Sequence, residues 1–158
     1  MSYFEIFKRE IINYSVANTY DEACSEWFEA GVDVADDDEE CYCICSHPIK
    51  QLITIRNREN NNSVIVGSDC ICKINNFPNA ALYHSVITNL VELKKNPNDT
   101  PVGKKLIEFI RVKMILEEKH IVFLESMRCK RRYTEKQAAY YLGLKRRIAG
   151  VLRRMTVG

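Results

Sequence analysis

Residues 41–74 read C-Y-C-I-C-S-H-P-I-K-Q-L-I-T-I-R-N-R-E-N-N-N-S-V-I-V-G-S-D-C-I-C-K-I and hold five of the seven cysteines and one of the three histidines of the chain. No other stretch restricts the fold as strongly. Between its two cysteine groups lies a hairpin pattern. In residues 50–57, Leu52, Thr54 and Arg56 share one face and Gln51, Ile53 and Ile55 the other. Residues 63–66 are the β-branched return strand. The intervening Asn-Arg-Glu-Asn-Asn-Asn supplies residues that tolerate the left-handed turn conformation. Gly67, Ser68 and Asp69 then make a tight turn, and Ser68 or Asp69 can cap a short helix from Cys70.

Cysteines gathered at both ends of a hairpin suggest metal ligands. An odd number cannot all pair as disulfides within one chain. The first ten residues lack the basic segment and apolar core of a signal peptide, so we expect an intracellular, reducing compartment, the cytoplasm or nucleus of a host. Zinc takes four soft or borderline ligands in a tetrahedron. Cys43, Cys45 and Cys70 are the first choices, with one structural zinc ion expected. The fourth position is open between His47, Cys72 and Cys41, in that order of preference for the first two. Cys70 and Cys72 point about 200° apart if both are helical, so they serve one ion only if Cys70 precedes the helix proper. Cys41, Cys43 and Cys45 share one face if extended, so a turn must begin near Cys43. The plain alternative is a set of buried free thiols packing as small hydrophobes. Redox sensing is another, and it needs exposed thiols of low pKa. Cys24 and Cys129 stand apart and are read as structural, as are His84 and His120.

Two ligand-bearing turns flanking a hairpin, followed by a helix, resemble treble-clef zinc fingers in layout, without their C-x-x-C spacing. The string also resembles a pattern in small uncharacterised proteins of phages, large DNA viruses and some bacteria: C-x-C-G-H-x-x-I, an I-x-N strand end, then V-G-x-x-C-[IV]-x-K-F. Here it covers roughly residues 20–75, with Ala23, Glu26 and Trp27 matching the helix that precedes the pattern. The chain departs at Ser46, where the pattern has glycine, and at Ile74, where it has phenylalanine. The resemblance implies a zinc module with ligands at Cys43, Cys45, Cys70 and, as an option, His47. It implies no activity.

The rest of the chain reads mainly as helix. Phe4, Phe7, Ile11 and Ile12 lie at helical spacing. A second helix is expected over residues 20–30, capped by Thr19 or Asp21, ended by Gly31, with Trp27 as a core anchor. Residues 33–40 hold six acids in eight positions and suggest a solvated, mobile linker. A helix is expected over 80–94, with Leu82, Val86, Leu90 and Leu93 on one stripe, and a loop over 96–101. Residues 102–126 form one long buried helix, or two broken near His120. Thr134 and Gln137 make a capping box for a helix that Gly143 breaks or ends. Leu144, Ile148, Val151, Leu152 and Met155 line a last amphipathic segment. The expected fold is α+β, mainly helical: one zinc-stapled hairpin packed with several helices. Its segments are 1–40 (acidic, helical), 41–76 (zinc hairpin), 77–127 (helical core) and 128–158 (basic, helical tail).

Charge is strongly polarised. Residues 1–40 carry twelve acids against two bases, and residues 128–158 ten bases against one acid. Arg128, Lys130, Arg131, Arg132 and Tyr133 precede the last capping box; Lys145, Arg146, Arg147, Arg153 and Arg154 follow it. Arginines and lysines at this density bind phosphates through counterion release, and an aromatic among them can stack a base. The bland reading is a solvated helix face. The expectation is a non-enzymatic zinc protein that associates with DNA or RNA through its basic tail, a viral or phage accessory factor. The alternative is an interaction module, a small subunit or inhibitor of a larger assembly, docking on an acidic protein surface. The tail can also fold back on residues 33–40. No apolar run spans a membrane, and no membrane partner is expected. Phosphate-cradling glycine loops, H-E-x-x-H and the zinc-deaminase pattern are missing.

Overall fold

The computed structural model describes residues 1–74 and 82–152, and these form two compact α+β and helical units with the same bounds. In the first unit, α1 (Tyr3–Asn13) begins at a capping box: Ser2 Oγ accepts from the Glu5 amide and the Glu5 carboxylate accepts from the Ser2 amide, each at 3.1 Å. Phe7 and Ile11, four residues apart, are its buried stripe. The second helix, α2 (Tyr20–Cys24), is short. The expected helix over residues 20–30 gives way to strand β1 (Trp27–Val34), which pairs antiparallel with β4 (Gln51–Asn57) from Trp27 opposite Asn57 to Val34 opposite Gln51. Aromatic and β-branched residues suit a strand, and the ladder to β4 overrides the helical spacing of Ala23, Trp27 and Phe28. The register shifts between Glu29 and Gly31, so Gly31 lies opposite Thr54 instead of ending a helix.

The hairpin forms as expected. β4 pairs with β5 (Ser63–Val66), and the sheet order β1-β4-β5 puts β4 in the middle. Both its edges are therefore paired, and its two faces are covered as well: Leu52, Ile53, Thr54, Ile55 and Asn57 are all buried. The asparagine turn is self-bonded. Asn57 Oδ1 accepts from the amides of Glu59 and Asn60, Asn61 takes φ 64°, and the side chains of Asn60 and Asn62 both donate to the Tyr14 carbonyl. A buried carboxylate ties this turn to the loop after α1. Glu26 accepts from the amides of Val16 and Ala17 at 2.8 Å and from Asn57 Nδ2 at 3.0 Å. Burial works against its charge, but these bonds more than offset it and hold its pKa below the ordinary value. Trp27 is the expected core anchor: it is buried, and its Nε1 donates to Ser15 Oγ.

Residues 33–40, expected to be a mobile linker, instead end β1 and turn back over Lys50. Its Nζ donates to the carbonyls of Asp36, Asp37 and Glu39, and the Ala35 amide donates to the Lys50 carbonyl. A two-stranded ribbon follows, β2 (Cys41–Tyr42) against β3 (Pro48–Ile49). Helix α3 (Ser68–Ile71) starts two residues before Cys70, with Gly67 as its N-cap instead of Ser68 or Asp69.

The second unit holds four helices: α4 (Tyr83–Lys95), α5 (Lys104–Val112), α6 (Glu118–Arg128) and α7 (Glu135–Ala149). The expected start of α4 at residue 80 lies outside the described residues. The segment 102–126 is two helices, and they part at residues 113–117 instead of near His120. Met114 takes φ 55° there, a conformation that no right-handed helix continues through. Arg111 then reaches across the break to Glu118 and Glu125. Helix α7 begins at the expected capping box, with Thr134 Oγ1 accepting from the Gln137 amide. Gly143 does not break it. Leu144 and Ile148 beyond it are buried, and that burial exceeds the roughly 1 kcal/mol that glycine costs in a helix interior. No helix among the described residues is long and apolar enough to cross a membrane.

Candidate metal centre and basic surface

The sulfurs of Cys43, Cys45 and Cys70 lie within 4.8 Å of one another, and all three residues are buried. Two elements position them. The first is the knuckle between β2 and β3: the Cys43 amide donates to the His47 carbonyl at 3.0 Å and the Ser46 amide to the Cys43 carbonyl at 2.8 Å. This tight turn requires a left-handed residue, and Ser46 provides it at φ 76°, the position where the resembling pattern has glycine. The Ile44 amide donates to the Ile65 carbonyl, fixing the knuckle to β5. The second element is α3, which follows β5 directly and carries Cys70. The hairpin thus brings its two flanking cysteine groups to one place.

Backbone amides face the sulfurs. Those of Cys45 and Gly67 donate to Cys43, and that of His47 donates to Cys45. The Cys70 thiol donates to Cys45 Sγ at 3.6 Å and also to Cys43. That bond from Cys70, joined by the two amides, draws the Cys43 pKa down to about 6 against the effect of burial. Donating to Cys43 keeps Cys70 protonated, and burial beside the charged Cys43 pushes Cys45 up. Mutual hydrogen bonding and burial together thus favour the thiolate at Cys43 and disfavour it at Cys45 and Cys70. A soft or borderline cation can replace the remaining protons, and buried thiolates with N–H donors are the donor set such an ion takes.

The other candidate ligands stay outside the trio. His47 is exposed, with its ring edge-on to Tyr3 at 4.7 Å. Cys72 is exposed, as the angle between residues two apart on a helix requires, and Cys41 is half-buried in β2. Cys24 is buried and hydrogen-bonded to the Tyr20 hydroxyl, and Cys129 is exposed. Tyr20 itself donates to the Lys73 carbonyl just past α3. His120 bonds Tyr140 through Nδ1. Sequence reasoning gave Gly67 a turn but missed its closeness to Ile49: a Cβ there would stand 2.9 Å from Ile49 Cγ2. The V-G-S-D string carries that signal only as a glycine.

The basic residues divide into two kinds. Arg128, Lys130, Arg131, Arg132, Arg146 and Arg147 are exposed. Among the described residues none of the six has a carboxylate partner. Lys145 differs. It is buried, its Nζ donates to the Pro97 carbonyl at 2.9 Å, and it lies over the Tyr141 ring. Burial lowers its pKa against the pull of Asp99. Placing Lys145 among the phosphate contacts is thus corrected: its helix position faces the 96–101 loop, and its charge is used internally. Tyr133 is exposed, with one edge against Tyr141. Arg153 and Arg154 lie outside the described residues, as does Met155 of the last amphipathic segment.

Compared with protein-family models, curated proteins and solved structures, the chain matches none.

Proposed function

We propose that this chain is a non-enzymatic, zinc-binding protein that associates with nucleic acid through the basic residues around the start of α7. One observation carries the reading. Four bases within five residues, Arg128, Lys130, Arg131 and Arg132, face solvent without carboxylate partners among the described residues, and Arg146 and Arg147 do the same further along the chain. A solubility surface normally interleaves both signs. Unpaired bases around an exposed tyrosine instead match the requirements of a phosphate backbone. The zinc ion is assigned to Cys43, Cys45 and Cys70, with His47 as the fourth ligand because its amide already sits at Cys45 Sγ. Its role is structural: it staples the knuckle to α3 across the hairpin.

The test is binding of the zinc-loaded full chain to fluorescent DNA and RNA across salt. Four phosphates neutralised by the cluster give a log–log slope of about −3 to −4. Reversing Arg128, Lys130, Arg131 and Arg132 to glutamate abolishes the salt-dependent binding. No binding at low salt refutes the nucleic-acid reading and leaves an acidic protein surface as the partner to seek. Protein that is folded and metal-free after purification without chelators refutes the zinc assignment.

A further inference from the structure

A shallow pocket of about 210 Å³ opens beside the basic cluster, lined by Pro97 and Asn98 of the loop after α4, Tyr133, and Ala138, Tyr141 and Lys145 of α7. It is smaller than the roughly 300–1,000 Å³ of sites for drug-sized ligands, and suits a single ring system. Its walls are rigid. Tyr141 is 3% exposed and its hydroxyl accepts from the Val102 amide at 3.0 Å. Lys145 Nζ is fixed 4.2 Å from the Tyr141 ring centroid and bonded to Pro97. Against this floor Tyr133 stands edge-to-face with Tyr141, centroids 5.9 Å apart, and leaves 44% of its surface exposed. Two small residues, Ala138 and Ala139, keep the α7 side low.

The arrangement has an aromatic ring open to solvent and an apolar floor, with Asn98 and Lys145 as the polar residues of its lining. Lys130, Arg131 and Arg132 immediately precede Tyr133 in the chain. Resting on the proposed nucleic-acid function, we infer that this pocket takes one unpaired base of a single strand, stacked on Tyr133, while Lys130–Arg132 hold the adjoining phosphates. Charge complementarity selects the backbone, and the pocket selects strands whose bases are free. A duplex keeps its bases stacked inside and presents none to such a pocket.

The experiment measures binding of the zinc-loaded full chain by fluorescence anisotropy to three probes of equal length: a mixed-sequence single strand, its duplex, and a single strand with abasic sites throughout. The intact single strand binds most tightly. Tyr133→Ala weakens it roughly 5- to 150-fold, the range for loss of one base stack. The abasic strand and the duplex are unaffected, and the salt slope is unchanged. Tyr133→Phe keeps the preference. Ala138→Leu, an exposed helical position where the fold is not at risk, fills the pocket and reproduces the loss. If intact and abasic strands bind equally and neither Tyr133→Ala nor Ala138→Leu changes binding, the base site is refuted while salt-dependent phosphate binding still stands. If none of the probes binds at low salt, the nucleic-acid function falls and the base site with it.

Discussion

Gly67→Ala tests how the metal knuckle is held to α3. Gly67 has φ −83° and ψ 169°, an extended conformation that alanine adopts freely. The substitution is therefore unstrained in the backbone and, by restricting the unfolded chain, would stabilise by about 0.4–1 kcal/mol on its own. Sterics oppose it. The new Cβ meets Ile49 Cγ2 at 2.9 Å, and Cγ2 is bonded directly to Cβ, so relief requires turning χ1 of Ile49 or moving β3. Overpacking of this kind costs about 1–3 kcal/mol. The net expectation is a loss of about 1–2 kcal/mol. The Gly67 amide that faces the Cys43 sulfur shifts as well, so the zinc proposed for the trio should be held more weakly. Trp27, the sole tryptophan, is 1% exposed and lies in the same unit, so its fluorescence reports unfolding of that unit alone in a urea titration. Ile49→Ala removes Cγ2. In that background Gly67→Ala should cost nothing or gain up to about 1 kcal/mol. The coupling energy of the cycle is then about 1–3 kcal/mol. An equal cost of Gly67→Ala in both backgrounds refutes the steric account. So does a gain in the wild-type background.

Cys43→Ser and Cys70→Ser should each abolish zinc binding, measured as metal per chain, and unfold the first unit, whereas exposed Cys129→Ser leaves both unchanged. Equal tolerance at all three sites would count against the ligand assignment. Glu26→Ala leaves the Val16 and Ala17 amides and Asn57 without their acceptor and costs about 1–3 kcal/mol at pH 7. Because the folded pKa of Glu26 is lowered, its contribution is full above the unfolded value of about 4.3 and is lost as pH falls through the folded pKa. The gap between wild type and variant therefore narrows in urea titrations at pH 3. Gly143→Ala, with nothing within 4 Å of the new Cβ, should raise the stability of the second unit by about 0.5–1 kcal/mol, read as a thermal shift. Ser46→Gly relieves the left-handed strain at φ 76° and should stabilise the knuckle by about 1 kcal/mol in the Trp27-detected titration, where a loss would place the strain elsewhere.

Features set by neighbouring residues were legible in the sequence. The capping box at Thr134 and the hairpin with its asparagine turn follow from spacings of a few positions, and that hairpin is what brings Cys70 back to Cys43 and Cys45 from 25 or more positions away. Features that need a distant partner were not. The spacing of residues 20–30 suits a helix, and only the ladder to β4, whose residues lie 17 to 30 positions later in the register, makes residues 27–34 a strand. Lys145 reads as one more base in a basic helix until the Pro97 carbonyl, 48 positions away, takes its proton donor. Gly143 signals a helix end locally, yet α7 continues through it, because local propensity costs less than the burial of Leu144 and Ile148 supplies.

The fourth ligand shows the same limit at its smallest scale. A C-x-C-x-H string is compatible with three side chains on one extended face or with a knuckle. The left-handed Ser46 decides for the knuckle, turning the chain so that the His47 amide meets Cys45 Sγ while the His47 ring lies against Tyr3. Backbone geometry has thus brought His47 to the sulfurs and left only its side-chain torsion undetermined by spacing. An ion bound at the trio supplies the energy to turn that ring, against one exposed edge contact with Tyr3 worth about 0.5–1.5 kcal/mol. Tyr3→Ala should therefore tighten zinc binding slightly if His47 is the fourth ligand, in a competition titration against a chelator. No change with Tyr3→Ala, together with undiminished zinc affinity in His47→Ala, would remove His47 as the fourth ligand and leave Cys72, Cys41 or a ligand from outside the chain.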